Sequence, residues 1–534
     1  MQLITEASAE KLRGGFYTPE PIADFMLQWA LADRPAATLL EPSCGDGAFL
    51  RRLRAGGFAY DHLTAVEYDV MEAAKAHALD LPRADIINDD FHRFCNHTTQ
   101  RFDVVVGNPP YIRYQYFEPR QQIEAQDLFI RAGLHYSKLT NAWVSFVIGA
   151  SLLLTEHGRL GMVIPAELLQ VSYAKQLRAF LASFFNQVTL VSFEKLVFAG
   201  IQQEVVLLLC ERDGSGVHRI NHFEVTDAAD LSRLTPQLLR TPGKRLDFRA
   251  GKWTHYFLTQ DEINLLEMAT SQQQVPALGR YARVEVGITT GANDFFTVPL
   301  ATVEKFQLEP FVRPMVGRSV QVESLRFTAE DWQRNRHGQA KAHLLVFPGS
   351  EVLAHAGARA YIEAGEAQGL HKGYKCGIRD DWFTVPSLKV SQALFIRRNN
   401  VFPKLIVNEA QAYTTDTMHR VFLRPGTDVQ ALAASFYNSL SLAGAEIAGR
   451  SYGGGVLELM PSETEQILLP YRPQHAQHLP QLDDWLRQKT PIQTILQAMD
   501  KALLQAGYGF SERETRLAND IWQKLSSRRL NRSK

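Results

Sequence analysis

The chain has 534 residues, 45% of them hydrophobic and 21% charged, with 57 Lys and Arg set against 57 Asp and Glu. Those values describe a globular protein of two or three domains and exclude disordered, collagen-like and disulfide-stapled classes. A formal net charge of zero gives no global argument for a polyanionic partner, so any nucleic-acid contact must rest on a local patch.

No apolar run reaches spanning length, and no basic-then-apolar leader opens the chain, so no membrane association is expected. Cys44, Cys95, Cys210 and Cys376 are scattered without paired spacing. That spacing argues against a disulfide framework and against a zinc site, so no metal is expected. It fits a reducing, cytoplasmic location.

The first informative stretch is Gly14-Gly15-Phe16-Tyr17-Thr18-Pro19-Glu20-Pro21. Thr18 is predicted to cap a helix over Ile22–Leu31, with Pro19 at its first position. Tyr17 and Thr18 are candidate ligand contacts at that helix start. Next, Thr38-Leu39-Leu40-Glu41-Pro42-Ser43-Cys44-Gly45-Asp46-Gly47 reads as a strand, a tight Gly-x-Gly turn and a helix start. Position 50 is Leu, so the third glycine of a dinucleotide fingerprint is missing, and no Gly-Lys-Ser/Thr follows. The carboxylates of Glu41 and Asp46 would repel a pyrophosphate. They suit a cationic, amino-bearing ligand such as S-adenosylmethionine.

Leu63–Val66 reads as a second strand ending at Glu67, where a carboxylate can grip ribose hydroxyls. Ile86-Ile87-Asn88-Asp89-Asp90-Phe91 ends a third strand, with an acid for an amino group and a ring to pack on a base. Phe102-Asp103-Val104-Val105-Val106-Gly107 is a fourth, buried strand. It runs into Asn108-Pro109-Pro110-Tyr111. Gly107 is expected to allow a sharp turn, and two prolines then fix φ and remove two donors. The Asn108 side chain and the Pro109 carbonyl can accept from an amino group, and Tyr111 offers a flat face. The loop suits a planar, amino-bearing heterocycle such as adenine.

The ordered set FYTPEP, LLEPSCGDGAFL, VEYD, NDDF and VVVGNPPY resembles the gamma-class, adenine-N6 DNA methyltransferases of type II restriction–modification systems, TaqI-like. The helix opening at Asn141-Ala142-Trp143, the run Gly158–Pro165 (a glycine turn and strand) and Val197-Phe198-Ala199-Gly200-Ile201 before a strand over Glu204–Cys210 extend the likeness over about residues 14–212. The resemblance implies an α/β, Rossmann-like class I methyltransferase domain with a mostly parallel sheet, then an α+β target-recognition domain and a helical C-terminal tail. It implies a catalytic loop of Asn108, Pro109, Pro110 and Tyr111, with Phe198 stacking on the far face of a flipped adenine. The cofactor contacts implied are Tyr17, Thr18, Glu41, Ser43, Gly45, Gly47, Glu67, Asp90, Phe91, Asn108 and Phe146. It implies S-adenosyl-L-methionine as cofactor and double-stranded DNA of specific sequence as substrate. A separately encoded restriction endonuclease and a monomeric state are also expected. With its motifs beginning at residue 14, a standalone methylase is expected rather than a fused nuclease.

Expected domains are 1–240 (catalysis), 245–470 (target recognition) and 475–534 (a helical C-terminal region). Val217–Val225 reads as an edge strand and 226–250 as a connector. The segment Val286–Phe296 resembles the entry to the recognition domain, and Ser451–Val456 resembles a late part of it. Arg397, Arg398, Lys404, Arg420 and Arg424 are basic residues among strand-like runs and candidates for phosphate or base contacts. Ser511 and Glu514 form a capping box, and Ser526–Lys534 reads as a disordered basic end. Alternatives are a methylase subunit acting only within a larger complex, or methylation of RNA, of protein glutamine or of cytosine N4.

Overall fold

A computed structural model describes residues 18–112, 116–137, 140–198, 203–241, 243–246, 251–272, 274–452 and 454–531. The chain divides into two compact units, 1–259 and 260–534. The second boundary expected near residue 475 is absent: the C-terminal helices belong to the second unit, where Glu512–Asn531 lies against Ser439–Ala448.

The first unit is built on a nine-stranded sheet of order β3-β2-β1-β4-β5-β7-β6-β8-β9. The strands are β1 (Thr38–Glu41), β2 (His62–Glu67), β3 (Ala84–Asn88), β4 (Phe102–Gly107), β5 (Leu154–Pro165), β6 (Gln187–Phe193), β7 (Val205–Glu211), β8 (Arg219–Val225) and β9 (Lys244–Arg245). β1 to β5 are mutually parallel, and β7 inserts antiparallel between β5 and β6. This is the mostly parallel α/β sheet expected from the sequence. Its central strands are apolar almost throughout because helices cover both faces. Chain order runs outward through β2 and β3 on one side of β1 and through β4 and β5 on the other. The strand order therefore reverses between β1 and β4, and their carboxyl ends open the crevice where such sheets bind ligands.

Three local expectations change. The helix spans Glu20–Leu31 with Pro19 as N-cap, and Thr18 makes no capping bond. Gly158 lies inside β5, beside an irregularity in its pairing with β4, not in a turn. The strand read as an edge, now Arg219–Val225, is flanked by β6 and by the short β9 within the presumed connector.

The second unit holds a four-stranded antiparallel sheet of Ala282–Val286, Met418–Leu423, Ala393–Ile396 and Leu405–Val407. Two smaller three-stranded sheets and a largely helical C-terminal part complete it. One core gathers Phe295, Phe296, Tyr361, Cys376 and Trp382, and a second gathers Val316, Phe327, Leu394 and Ile406. The capping box at Ser511 and Glu514 is present. The helix behind it continues to Asn531, so the basic end is ordered over its described part. Among the described residues no helix is long and apolar enough to cross a membrane.

Candidate active site

The carboxyl ends of β1 to β4 line one cleft of about 470 Å³. The Gly-x-Gly turn after β1 holds Gly45 at φ +53° and Gly47 at φ +89°. The positive φ favours glycine at position 47; a Cβ there would stand 2.7 Å from Leu79 Cδ1, the movable end of a side chain. Glu67, at the end of β2, accepts from the backbone N–H of Gly45 at 2.8 Å and of Asp69 at 2.8 Å. Those bonds orient its carboxylate across the turn. Burial still pushes its carboxyl above the ordinary value.

Glu41 is 2% exposed, and its Oε2 has no hydrogen-bond partner among the described residues. Burial, then the charges of Glu67 and Asp46, push its carboxyl well above the usual range. A buried acceptor without a partner is unfavourable unless a donor arrives. The cleft thus contains an acidic wall waiting for a cationic or amino-bearing group.

Asp90 caps the helix Phe91–His97 through the N–H groups of His92 and Arg93, and its other oxygen accepts from Gln121 Nε2 at 2.9 Å. Burial alone would raise its carboxyl. His92, Gln121 and the Arg93 amide outweigh burial and hold it below the usual value. The Phe91 and Phe146 rings stack at 4.9 Å and 25°, and both line the cleft. Thr18, Ser43 and Gly45 line it too, and Tyr17 lies outside the described residues.

The loop after β4 brings Asn108 and Pro110 to the same cleft. Ser43 Oγ donates to the Asn108 carbonyl at 3.3 Å, which ties this loop to the turn after β1. Gly107 has no positive φ. Its hydrogen side chain leaves room for Pro42, whose Cδ would be 3.1 Å from a Cβ, so close packing explains this glycine better than a sharp turn. The Tyr111 hydroxyl lies 2.8 Å from Asn108 Oδ1 and 3.0 Å from the Val163 carbonyl, and burial raises its ionisation well above the usual phenol value. Tyr111 packs against the apolar cluster that contains Phe198, which is 6% exposed. Asn108 and Pro110 therefore share the cleft with the strand-end acids, whereas Pro109, Tyr111 and Phe198 are not among its lining residues.

Sequence reasoning missed Tyr68, Phe117 and Gln121, which also line the cleft. The signal for Gln121 was there. Glu118 precedes Pro119 and lies three residues before Gln121, and the side chains of Glu118 and Gln121 form a capping box at that helix start.

The basic candidates of the second unit separate sharply. Arg420 is 6% exposed, ion-paired with Glu285 and bonded to the carbonyls of Val286 and Ser387, so it serves the fold. Arg424 donates to the Gly279 carbonyl. Burial lowers the Lys404 ammonium, which approaches the Glu323 carbonyl. Arg397 and Arg398 share Glu458, and only Arg398 keeps most of its side chain, 67%, in solvent.

Two family profiles match the chain. "Eco57I restriction-modification methylase" matches residues 63–198, and "Type II methyltransferase M.Eco57I, C-terminal domain" matches residues 250–504. The type II methyltransferase M.AccI of Acinetobacter calcoaceticus is 23% identical over 470 residues, covering 84% of this chain and 83% of that protein. M.XamI of Xanthomonas campestris pv. amaranthicola is 22% identical, covering 86% and 85%. Over most of its length the chain is similar to type II restriction–modification methyltransferases. M.TthHB8I of Thermus thermophilus is 32% identical over 213 residues, covering 38% of this chain and 46% of that protein.

Proposed function

We propose that the chain is a site-specific DNA methyltransferase and the modification component of a restriction–modification system. In this reading it transfers a methyl group from S-adenosyl-L-methionine to N6 of an adenine swung out of duplex DNA. One observation carries the reading: Asn108, on a stiff proline loop, opens into the same cleft as Glu41, Glu67 and Asp90.

The residues present fit the cofactor. Glu41 Oε2 is a buried acceptor in need of a cationic donor, and the Gly45–Gly47 turn admits close approach. Glu67, already fixed by two backbone donors, keeps acceptor capacity for ribose hydroxyls. Asp90 accepts from the Gln121 amide the kind of bond that an exocyclic amino group would donate, beside the Phe91 and Phe146 rings. When bound, the cofactor supplies a methyl group on a sulfonium.

The chain's own residues act on the base. An aromatic amino group is a poor nucleophile because its lone pair is delocalised. Acceptance of its two N–H bonds by the Asn108 carboxamide and the Pro109 carbonyl localises charge on nitrogen as it pyramidalises. In this reading the Tyr111 ring, next to Asn108, and Phe198, once turned out of the apolar cluster that holds it, supply faces that offset the unstacking of a flipped base, at about 1–3 kcal/mol per stack. The relatives' names as type II methyltransferases support a DNA substrate, and the second unit is then the candidate reader of sequence.

The test is incubation with tritiated S-adenosylmethionine and mixed-sequence duplex DNA, followed by digestion to nucleosides and chromatography. Label is expected in N6-methyladenine and to fall at least 100-fold in Asn108→Ala. Label in N4-methylcytosine would move the target base, and DNA without label beside intact cofactor binding would overturn the reading.

A further inference from the structure

Between the 3-10 turn Leu370–Lys372 and Arg379, the second unit carries the short helical turn Tyr374–Gly377. Tyr374 is 80% exposed and Ile378 68% exposed. Tyr374 opens the turn and Ile378 caps its end. Single exposed apolar residues are ordinary, but here an aromatic and a branched aliphatic are exposed together at the two ends of one turn. Lys372 and Lys375, in the same segment, are both exposed, and no ion pair involves either among the described residues.

The other side of the turn is anchored. Cys376 is fully buried in the core with Phe295, Phe296 and Trp382. Arg379 donates to the carbonyls of Thr290 at 2.6 Å and Thr384 at 2.9 Å, and its guanidinium lies over the Phe296 ring. Gly291, at φ +84°, lets the neighbouring loop press close: a Cβ there would stand 2.7 Å from Lys375 Cβ. A fixed base therefore carries an exposed turn that bears both apolar and cationic side chains.

We infer that Tyr374 and Ile378, with Lys372 and Lys375, form a docking surface for duplex DNA, with the lysines on phosphates and the apolar pair against the base or sugar edges between them. Charge complementarity chooses the partner. A polyanion with flat apolar groups between regularly spaced charges matches exposed lysines in one segment with an exposed aromatic. The inference rests on DNA as the substrate and adds an element that the basic residues Arg397, Arg398, Lys404 and Arg420 do not include.

The experiment measures duplex binding by fluorescence anisotropy between 50 and 200 mM salt, on the full chain and on Lys372→Ala/Lys375→Ala and Tyr374→Ala, with methylation assayed alongside. The lysine pair is expected to lower the slope of log affinity against log salt by about 2, one phosphate for each lysine. Tyr374→Ala is expected to weaken binding on the order of tenfold with the slope unchanged. All four side chains are exposed or flexible, so cofactor binding and melting temperature should match wild type. If wild type methylates DNA while both variants bind as it does, this surface is overturned and the proposed function stands. If wild type neither binds nor methylates duplex DNA, both fall.

Discussion

The Tyr111 hydroxyl lies 2.8 Å from Asn108 Oδ1 and 3.0 Å from the Val163 carbonyl oxygen. A phenol has one proton and cannot serve both acceptors fully. The phenol donates to Asn108 Oδ1, with the Val163 carbonyl within reach as its second acceptor, and so fixes the carboxamide on the loop. A carboxamide oxygen has two lone pairs, so this bond leaves capacity for a substrate amino group. Tyr111 is thus a positioning residue for Asn108 as well as an aromatic face. Tyr111→Phe keeps the ring and deletes the hydroxyl. It is expected to lower kcat about 3- to 10-fold with KM for DNA little changed, and to reduce stability by about 1 kcal/mol. Tyr111→Ala should raise KM as well. Single-turnover methylation beside thermal unfolding checks this, and a Tyr111→Phe enzyme with wild-type kcat would remove the positioning role.

Glu41 gives a prediction in which stability and binding move in opposite directions. Burial raises its carboxyl in the folded protein, with Glu67 and Asp46 adding to the effect. For a carboxyl raised by folding, the folded state is favoured at low pH, and that advantage disappears as pH climbs from the ordinary value through the folded one. Glu41→Gln keeps an acceptor and removes the charge. The cofactor-free variant should melt a few degrees higher than wild type near pH 7.5, and the gap should close towards pH 4. Its affinity for S-adenosylmethionine should drop about tenfold or more. Melting curves across pH and calorimetric titration read the two effects separately.

These relationships also show which features a sequence can reveal. The ends of β1 to β4 were legible because each is a short apolar run closed by an acid, a glycine or a proline pair within the next few residues, and such punctuation is local. What the acids contact was not legible. Gln121 reaches Asp90 across 31 positions. The basic residues misled for the same reason: Arg420 finds Glu285 and Ser387, far away in sequence, and is consumed by the fold. Lys372 and Lys375 looked no different from them in the string, and their exposure is set by which face Cys376 buries.

The C-terminal helix is the clearest case of a distant partner deciding structure. Arg529 pairs with Glu446 at 2.7 Å, with both side chains almost fully buried. Its guanidinium also donates to the carbonyls of Asn400, Val401 and Gly455. Arg529→Met strands the Glu446 charge in the interior, and the loss is expected to be about 3–5 kcal/mol. Adding Glu446→Gln should recover part of it, because the stranded charge is the larger penalty. Denaturant unfolding of the single and double variants measures the coupling. A loose basic tail would leave all three proteins equally stable.

Asp500 supplies the last prediction. Burial pushes its carboxyl up to about 6, against the pull of Ser439, whose N–H and hydroxyl donate to it at 2.7 and 2.6 Å. The unfolded value is 3.8, so the folded state takes up a proton in the window between 3.8 and about 6. Stability contributed by that proton is fully present below the window and is lost as pH rises through it. The span corresponds to roughly 2–3 kcal/mol. Asp500→Asn keeps an acceptor for the Ser439 amide and cannot titrate. Denaturant unfolding at pH 4 to 7 should show the wild-type minus variant difference falling by that order across the window and flat above it. A difference that stays constant with pH would mean that the Ser439 bonds, and not burial, set the charge state.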